Sequence, residues 1–137
     1  MSDAGYSTRP LSDKLGIKPG TPIIALGAPS GYSALLGKLP DGVTIQPRLT
    51  TGAAFIHHFS RRRDDLASDF PRLARALADN GTLWISWPKK ASGVVTDLNE
   101  NIIRQIGLAG GLVDVKVCAI DEVWSGLKFV RRRENRR

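Results

Sequence analysis

The chain has 137 residues, of which 42% are hydrophobic and 24% are charged, and it contains a single cysteine, Cys118. This length and composition indicate one globular domain and exclude a disordered, fibrous or disulfide-stapled chain. The net charge of +7 favours an acidic partner, and residues 131–137 supply +4 of it through five arginines and one glutamate.

The predicted elements follow from apolar runs and turn residues. Residues 1–20 are polar and predict an N-terminal arm with at most a short helical turn near residues 11–15. Short apolar runs bounded by glycine and proline predict the strands of the domain. The predicted strands are 22–28, 43–47, 53–59, 82–87, 112–120 and 127–130. Pro47 is expected to end the second of them or to place it at a sheet edge.

Three helices are predicted between these strands. A short one contains Tyr32, and a longer one spans residues 61–78, where Leu66, Phe70, Leu73 and Leu77 form an apolar stripe. Pro71 is expected to kink or split the longer helix, and the Asn80–Gly81 pair is expected to stop it in a left-handed turn. Asp97 and Glu100 have the spacing of a capping box, which predicts the start of the third helix, through Ile106.

This alternation of strands and helices predicts a three-layer α/β domain of the Rossmann-like type. The sheet is expected to be mainly parallel, with an antiparallel hairpin strand at its C-terminal end because the connection at residues 121–126 is short. The organisation is therefore an arm at residues 1–20, the α/β domain at residues 21–130 and a basic tail at residues 131–137.

Two resemblances follow from these elements. The order of a helix, the strand at residues 83–87, a further helix and an antiparallel pair resembles the C-terminal half of class I methyltransferases, which use S-adenosylmethionine. The blocks GTLWISWPKK (residues 81–90), TDL (96–98) and VDVKVCAIDEVWSGLKFV (113–130) look like a bacterial family of short proteins that contain a domain of unknown function. The first resemblance implies a truncated methyltransferase-like fold, and the second implies no activity.

The methyltransferase resemblance implies a glycine-rich turn after the first strand and an acidic residue after the second. Gly27 fits the first position of that turn, whereas Pro29 removes a backbone donor. The segment after the second strand, Gln46 to Thr51, contains no carboxylate. We therefore expect S-adenosylmethionine to bind weakly or not at all, and we predict no other cofactor.

A candidate ligand pocket follows from topology, because ligands of open α/β sheets bind beyond the carboxyl ends of the parallel strands. Its aromatic rings could stack on a planar ligand, and its lysines could hold a phosphate or carboxylate. The candidate residues of this pocket are Ser30, Ser86, Trp87, Lys89, Lys90, Asp121 and Trp124. The alternative is that the tryptophans only pack the core and the lysines form a solvated turn.

No catalytic residue and no metal site are predicted. His57 and His58 are adjacent on a strand and should point to opposite faces, and Cys118 is expected to be a buried, inert thiol. The arginine clusters are candidate contacts for an anion, an acidic protein or a nucleic acid. These residues are Arg61, Arg62, Arg63, Arg131, Arg132 and Arg133.

The leading hypothesis from sequence is a non-catalytic binding or regulatory module with a degenerate cofactor site. The alternatives are a divergent S-adenosylmethionine-dependent methyltransferase and a nucleic-acid-associated protein that uses the basic clusters. With no secretory signal and no apolar run long enough to span a membrane, a cytoplasmic location without membrane contact is expected.

Overall fold

The computed structural model describes residues 9–135, and within that range it contains six strands and four α-helices. The strands are β1 (Pro22–Leu26), β2 (Thr44–Gln46), β3 (Ala53–Phe59), β4 (Leu77–Pro88), β5 (Leu112–Ala119) and β6 (Trp124–Arg131). The helices are α1 (Leu11–Lys14), α2 (Tyr32–Leu36), α3 (Arg63–Ala76) and α4 (Glu100–Ala109), with short 3-10 turns at Lys90–Ser92 and Arg133–Asn135.

The strands form one sheet in the order β2-β1-β3-β4-β6-β5. The first four strands in this order are parallel to one another, and β6 runs antiparallel to both β4 and β5. This arrangement confirms the predicted α/β class and the antiparallel C-terminal hairpin. Strand β2 lies at the edge beside β1, as Pro47 led us to expect.

Helices α3 and α4 cover one face of the sheet. Ile56, Leu83 and Phe129 of the sheet belong to the same buried cluster as Leu66 of α3 and Ile103 of α4, and all five side chains are fully buried. The apolar stripe predicted for the longer helix is therefore its core face.

The opposite face is covered by α1, α2 and the residues that follow α1. Leu15 and Leu36 are buried against Phe55 and Trp84, and the Trp84 indole Nε1 donates to the carbonyl oxygen of Leu15 at 3.0 Å. The second half of the N-terminal arm thus contributes to the core, although its composition is mostly polar.

Side chains alternate between the two faces along the central strands, as the sequence predicted. Trp84 belongs to the cluster beneath α1 and α2, whereas Trp87 belongs to the cluster beneath α3 and α4. His57 contacts Tyr32 of α2, whereas His58 contacts Asp69 of α3. The predicted opposite orientation of the two histidines is confirmed, and the two tryptophans follow the same alternation.

The boundary between α3 and β4 differs from the prediction. Helix α3 runs without interruption through Pro71 and ends at Ala76, and the Asn80–Gly81 pair lies inside β4. The register of β3 against β4 shifts here, because Ala53 pairs with Leu77 but Phe55 pairs with Thr82. A Cβ atom on Gly81 would lie 2.7 Å from the Ala53 carbonyl oxygen. Glycine is needed for this close approach of two backbones, so the predicted left-handed stop was wrong.

The predicted capping box at the start of α4 was also wrong. The N-cap residue is Asn99, whose side-chain Oδ1 accepts a hydrogen bond from the Ile102 backbone N–H at 2.9 Å. The Asp97 carboxylate instead accepts from the Arg63 backbone N–H at 2.7 Å. Asp97 therefore joins the loop before α4 to the start of α3.

We expect Asn99→Ala to lower the free energy of unfolding by about 1 kcal/mol, because an N–H group of the first turn of α4 loses its acceptor. Urea denaturation measures this change. Gln105→Ala, an exposed substitution on the same helix, is the control and should change stability by less than about 0.5 kcal/mol. Equal effects of both substitutions would contradict the capping role.

Cys118 and Trp124 differ in smaller ways from the sequence-based predictions. The sequence predicted a buried thiol at Cys118, but the residue is partly exposed because β5 is an edge strand. Trp124 is the first residue of β6 and is buried, whereas the sequence placed it in the connection before that strand.

Candidate functional site

The carboxyl ends of the parallel strands lie side by side at one edge of the sheet. Leu26 at the end of β1 pairs with His58, and Phe59 at the end of β3 pairs with Ser86 of β4. The Ser60 backbone N–H donates to the Ser86 carbonyl oxygen at 2.9 Å, which holds the chain after β3 against β4. Two clefts open at this edge, and Gly27 lines both of them.

Gly27 adopts a backbone conformation that suits glycine. Its φ angle is +68°, and a Cβ atom at this position would lie 3.0 Å from the Phe59 carbonyl oxygen. A side chain would therefore be strained and would press on the end of β3. This turn carries the chain from β1 towards α2 and leaves its backbone facing the clefts.

The smaller cleft has a volume of about 650 Å³ and lies between the ends of β1 and β2. Gln46 and Pro47 form its wall on the β2 side, and Tyr32 and Ser33 of α2 form the opposite wall. The Gln46 amide Nε2 donates to Thr44 Oγ1 at 3.4 Å. A polar but uncharged amide therefore stands where the methyltransferase resemblance implies a carboxylate.

A buried hydrogen-bond chain connects α2 with β4 beneath this cleft. The His57 ring contacts Tyr32 Oη through Nδ1 and Ser86 Oγ through Nε2, each at 2.8 Å, and it stacks on the Phe59 ring with 4.2 Å between centroids. Burial, with a smaller effect of the nearby His58, lowers the pKa of His57 to about 3. Burial also raises the pKa of the Tyr32 hydroxyl. His57 is therefore a neutral, structural histidine at neutral pH.

The larger cleft has a volume of about 850 Å³ and lies between the end of β3, helix α3 and the segment that contains Val95. Its charged side chains are three arginines and two aspartates. They are Arg61, Arg62, Arg72, Asp65 and Asp69. The Arg61 guanidinium carbon lies 5.9 Å from the centre of the Trp124 ring, which also lines the cleft. The wall therefore combines positive charge with an aromatic surface.

His58 lines this larger cleft and is buried. Its Nε2 atom lies 3.2 Å from Asp69 Oδ2, whereas its Nδ1 atom is buried and has no hydrogen-bond partner within residues 9–135. Burial lowers the pKa of His58, and Arg72 adds to that effect, while the hydrogen bond and the charge of Asp69 oppose it. A neutral His58 that donates from Nε2 to Asp69 presents the lone pair of Nδ1 as an acceptor.

Most residues of the predicted pocket do not meet in either cleft. Trp124 lines the larger cleft, but Ser30 is exposed beside α2, and Ser86 lies in the core against His57. Trp87 is buried on the face covered by α3 and α4. Ser86 and Trp87 are therefore buried and line neither of the two clefts.

The remaining predicted pocket residues belong to the loops beside β4 and β6. Asp121 Oδ1 accepts from the backbone N–H groups of Val123 and Trp124, so its carboxylate shapes that turn. The Lys89 backbone N–H donates to the Val123 carbonyl oxygen, and Lys90 is exposed at the start of a 3-10 turn.

The predicted anion contacts separate into two groups. Arg61 and Arg62 line the larger cleft, whereas the exposed Arg63 begins α3 beside it. Arg131 ends β6 and donates from its guanidinium to the carbonyl oxygens of Ala74 and Leu77.

The tail beyond Arg131 is described only in part. Arg132 is half-buried and Arg133 is exposed, while residues 136–137 of the predicted tail lie outside the described range.

Sequence reasoning missed the His58–Asp69 pair and a group of lysines. Lys128 has a lowered pKa because of partial burial and the nearby charges of Lys116 and Lys18. These residues are far apart in the chain, so no local motif signals either group. Asp69 follows His58 by 11 residues. The pair could be found only by knowing that His58 of β3 and Asp69 of α3 point towards each other.

No family model and no curated protein matches the chain. Solved structures do match it. A SAM-dependent methyltransferase from Aquifex aeolicus is 12% identical with a TM-score of 0.63, and the match covers 85% of each chain. A TehB-like SAM-dependent methyltransferase from Corynebacterium glutamicum is 13% identical with a TM-score of 0.61, and the match covers 89% of this chain and 85% of that one.

The chain has the fold of the SAM-dependent methyltransferases. A third similar structure is the O-methyltransferase NcsB1 from neocarzinostatin biosynthesis, solved with S-adenosylmethionine and a hydroxy-methyl naphthoic acid. It is 14% identical with a TM-score of 0.61, and the match covers 82% of this chain and 49% of that one. These likenesses establish the fold. In residues 9–135, no helix is long and apolar enough to cross a membrane.

Proposed function

We propose that this chain is a divergent S-adenosylmethionine-dependent methyltransferase domain whose smaller cleft binds the cofactor. The observation that carries the proposal is the Gly27 turn, which keeps its positive φ and its close approach to β3 at the cofactor edge of a methyltransferase fold. The cleft beside it, at about 650 Å³, lies within the range of roughly 300–1,000 Å³ that is usual for small-molecule sites.

The residues around the smaller cleft fit an adenosyl group, although the amide of Gln46 replaces the carboxylate that the resemblance implies. The backbone of Gly27 and Ala28 would contact the ligand, and the apolar Ile45 and Pro47 would face its ring. Gln46 would hydrogen-bond the ribose hydroxyls through its amide, because an amide both accepts and donates. When bound, S-adenosylmethionine supplies an electrophilic methyl group.

We expect Gln46→Glu to tighten S-adenosylmethionine binding by about tenfold, because hydrogen bonds to a charged carboxylate are roughly twice as strong as those to a neutral amide. Gln46→Ala should weaken binding, since the ribose hydroxyls then lose their partner. Isothermal titration calorimetry measures all three dissociation constants. A ranking of Glu above Gln above Ala is a signature that a purely structural role of residue 46 would not produce.

A steric control uses two adjacent positions on α2. Ser33 and Ala34 are both exposed, but only Ser33 lines the cleft. Ser33→Trp should abolish binding, whereas Ala34→Trp should leave the dissociation constant within about twofold of the parent value. Absence of binding to both the parent chain and Gln46→Glu would contradict the proposal and favour a non-catalytic binding or regulatory module.

The remaining functional assignments are proposals of the same kind. We place the chain in the bacterial family that the blocks at residues 81–90 and 113–130 resemble, and we propose a cytoplasmic location. An acidic protein or a nucleic acid is the partner that the net charge of +7 favours. Binding to duplex DNA that weakens steeply with salt would support the nucleic acid, and no binding to DNA would support the acidic protein.

A further inference from the structure

We propose that the larger cleft binds a small aromatic acid that carries a hydroxyl group, with its carboxylate held by Arg61 and Arg62 and its hydroxyl held by His58. This ligand is distinct from the proposed cofactor. Its binding does not require the smaller cleft, and the two are measured separately. The role of the larger cleft as the position of a methyl acceptor rests on the proposed function, and Gly27, which lines both clefts, makes them neighbours.

The first argument is the unmet acceptor on His58. The Nε2–H group of His58 donates to Asp69, so the lone pair of the neutral ring is on Nδ1. This atom is buried, none of residues 9–135 donates to it, and the residue lines the cleft. A buried polar atom without a partner costs free energy. Because the atom is closed to solvent, a ligand hydroxyl reaches it only when side chains of the cleft wall move on binding, and the hydroxyl is then the donor that satisfies it.

The second argument is the balance of charge in the cleft. Arg72 lies 3.6 Å from Asp69 and is therefore occupied by that carboxylate. Arg61 and Arg62 remain on the wall with only Asp65 to oppose them. Guanidinium groups bind carboxylates through paired hydrogen bonds, so an organic acid complements this wall.

The third argument is the apolar part of the cleft lining. Trp124 is anchored in the core by its edge-to-face contact with Phe59, 5.1 Å between centroids. Val95 is 92% exposed and also lines the cleft. Its segment is fastened to the residues after β3, since Thr96 Oγ1 donates to the Arg61 carbonyl oxygen at 2.6 Å. A cleft lined by an exposed valine on a fastened segment and by a tryptophan suits a ring better than a bare inorganic anion.

The test uses a series of probe ligands on the full chain. Para-hydroxybenzoate carries the ring, the hydroxyl and the carboxylate, benzoate lacks the hydroxyl, and para-hydroxybenzyl alcohol lacks the carboxylate. NMR of protein with isotope-labelled histidine reports directly on the ring nitrogens of His57 and His58. We expect para-hydroxybenzoate to shift the His58 Nδ1 signal, and each incomplete probe to bind about tenfold more weakly.

A pair of neighbouring arginines supplies the matched control. Arg62 and Arg63 are both exposed and both carry one positive charge, but only Arg62 lines the cleft. Arg62→Gln should weaken para-hydroxybenzoate binding by about tenfold, and Arg63→Gln by less than about twofold.

Three outcomes would overturn the inference. Equal weakening by Arg62→Gln and Arg63→Gln would indicate general attraction to a basic surface. An unchanged His58 Nδ1 signal at saturation would remove that residue from the site. Displacement of para-hydroxybenzoate by inorganic phosphate at similar concentration would indicate a simple anion site without a role for the ring or hydroxyl. Calorimetry with S-adenosylmethionine is independent of these results, so each proposal can fail without the other.

Discussion

Between pH 7 and pH 4, we expect the burial of His57 alone to cost the protein about 3 kcal/mol of folding stability. The unfolded imidazole takes up a proton below its ordinary pKa of 6.5, whereas the folded one stays neutral until about pH 3. The unfolded state therefore binds more protons in this window, and the free energy of unfolding falls as the pH falls. Urea denaturation at half-unit steps of pH measures the slope.

The control for this prediction is His57→Gln, which keeps a polar side chain within reach of Tyr32 and Ser86 but cannot titrate. In the variant, the slope of unfolding free energy against pH should be smaller by the contribution of one proton, roughly 1.4 kcal/mol per pH unit near pH 5. Some slope should remain, because the pKa of His58 is also lowered, with Asp69 and Arg72 facing it. Identical slopes for the parent chain and the variant would mean that His57 is hydrated or already charged.

The sheet could be predicted from sequence because its strands carry strong local signals. Strand β3 was predicted with its observed bounds, Ala53–Phe59, since five of its seven residues are apolar and a glycine precedes it. The closing hairpin followed from the short connection at residues 121–126. Alternation along β3 was enough to place His57 and His58 on opposite faces.

The ends of α3 and α4 could not be predicted because contacts from distant residues determine them. Asn80–Gly81 has the local signature of a helix stop, yet pairing with β3 draws this segment into the sheet. Asp97 has the spacing of a cap, yet its carboxylate binds the start of α3, and Asn99 caps α4 instead. In both places, tertiary hydrogen bonding overrides a sound local preference.

The position of the candidate site could also be predicted from sequence, whereas its side chains could not. Topology predicted ligand binding at the carboxyl edge of the sheet, and both clefts open at that edge. Residue chemistry alone then selected side chains such as Asp121, whose carboxylate is used by its own turn. His58 was not among the selected side chains, because its partner, Asp69, lies on a helix whose rotation relative to β3 cannot be read from the sequence.

We expect removal of the basic tail to lower the free energy of unfolding when Arg131 is removed with it, and to leave that free energy almost unchanged when Arg131 is kept. If residues 131–137 were only a solvated basic tail, as the sequence predicts, a chain ending at Val130 would be as stable as the full chain. Arg131 instead belongs to β6, and its guanidinium binds the carbonyl oxygens of Ala74 and Leu77 where α3 gives way to β4. Hydrogen bonds to charged groups contribute about 1.5–3 kcal/mol each, and partial exposure of Arg131 reduces that value.

We therefore expect a chain ending at Val130 to lose about 2–3 kcal/mol of unfolding free energy in urea, and a chain ending at Arg132 to lose less than about 0.5 kcal/mol. Point variants separate the side chain from the loss of backbone. Arg131→Gln should reproduce most of the larger effect, because the two carbonyl groups lose their charged donor, whereas Arg132→Gln removes the same charge from the neighbouring residue and should be nearly neutral. If Arg131→Gln were as stable as Arg132→Gln, the junction between α3 and β4 would be held by the sheet pairing of Leu77 with Ala53 alone, and the arginine would belong to the tail after all.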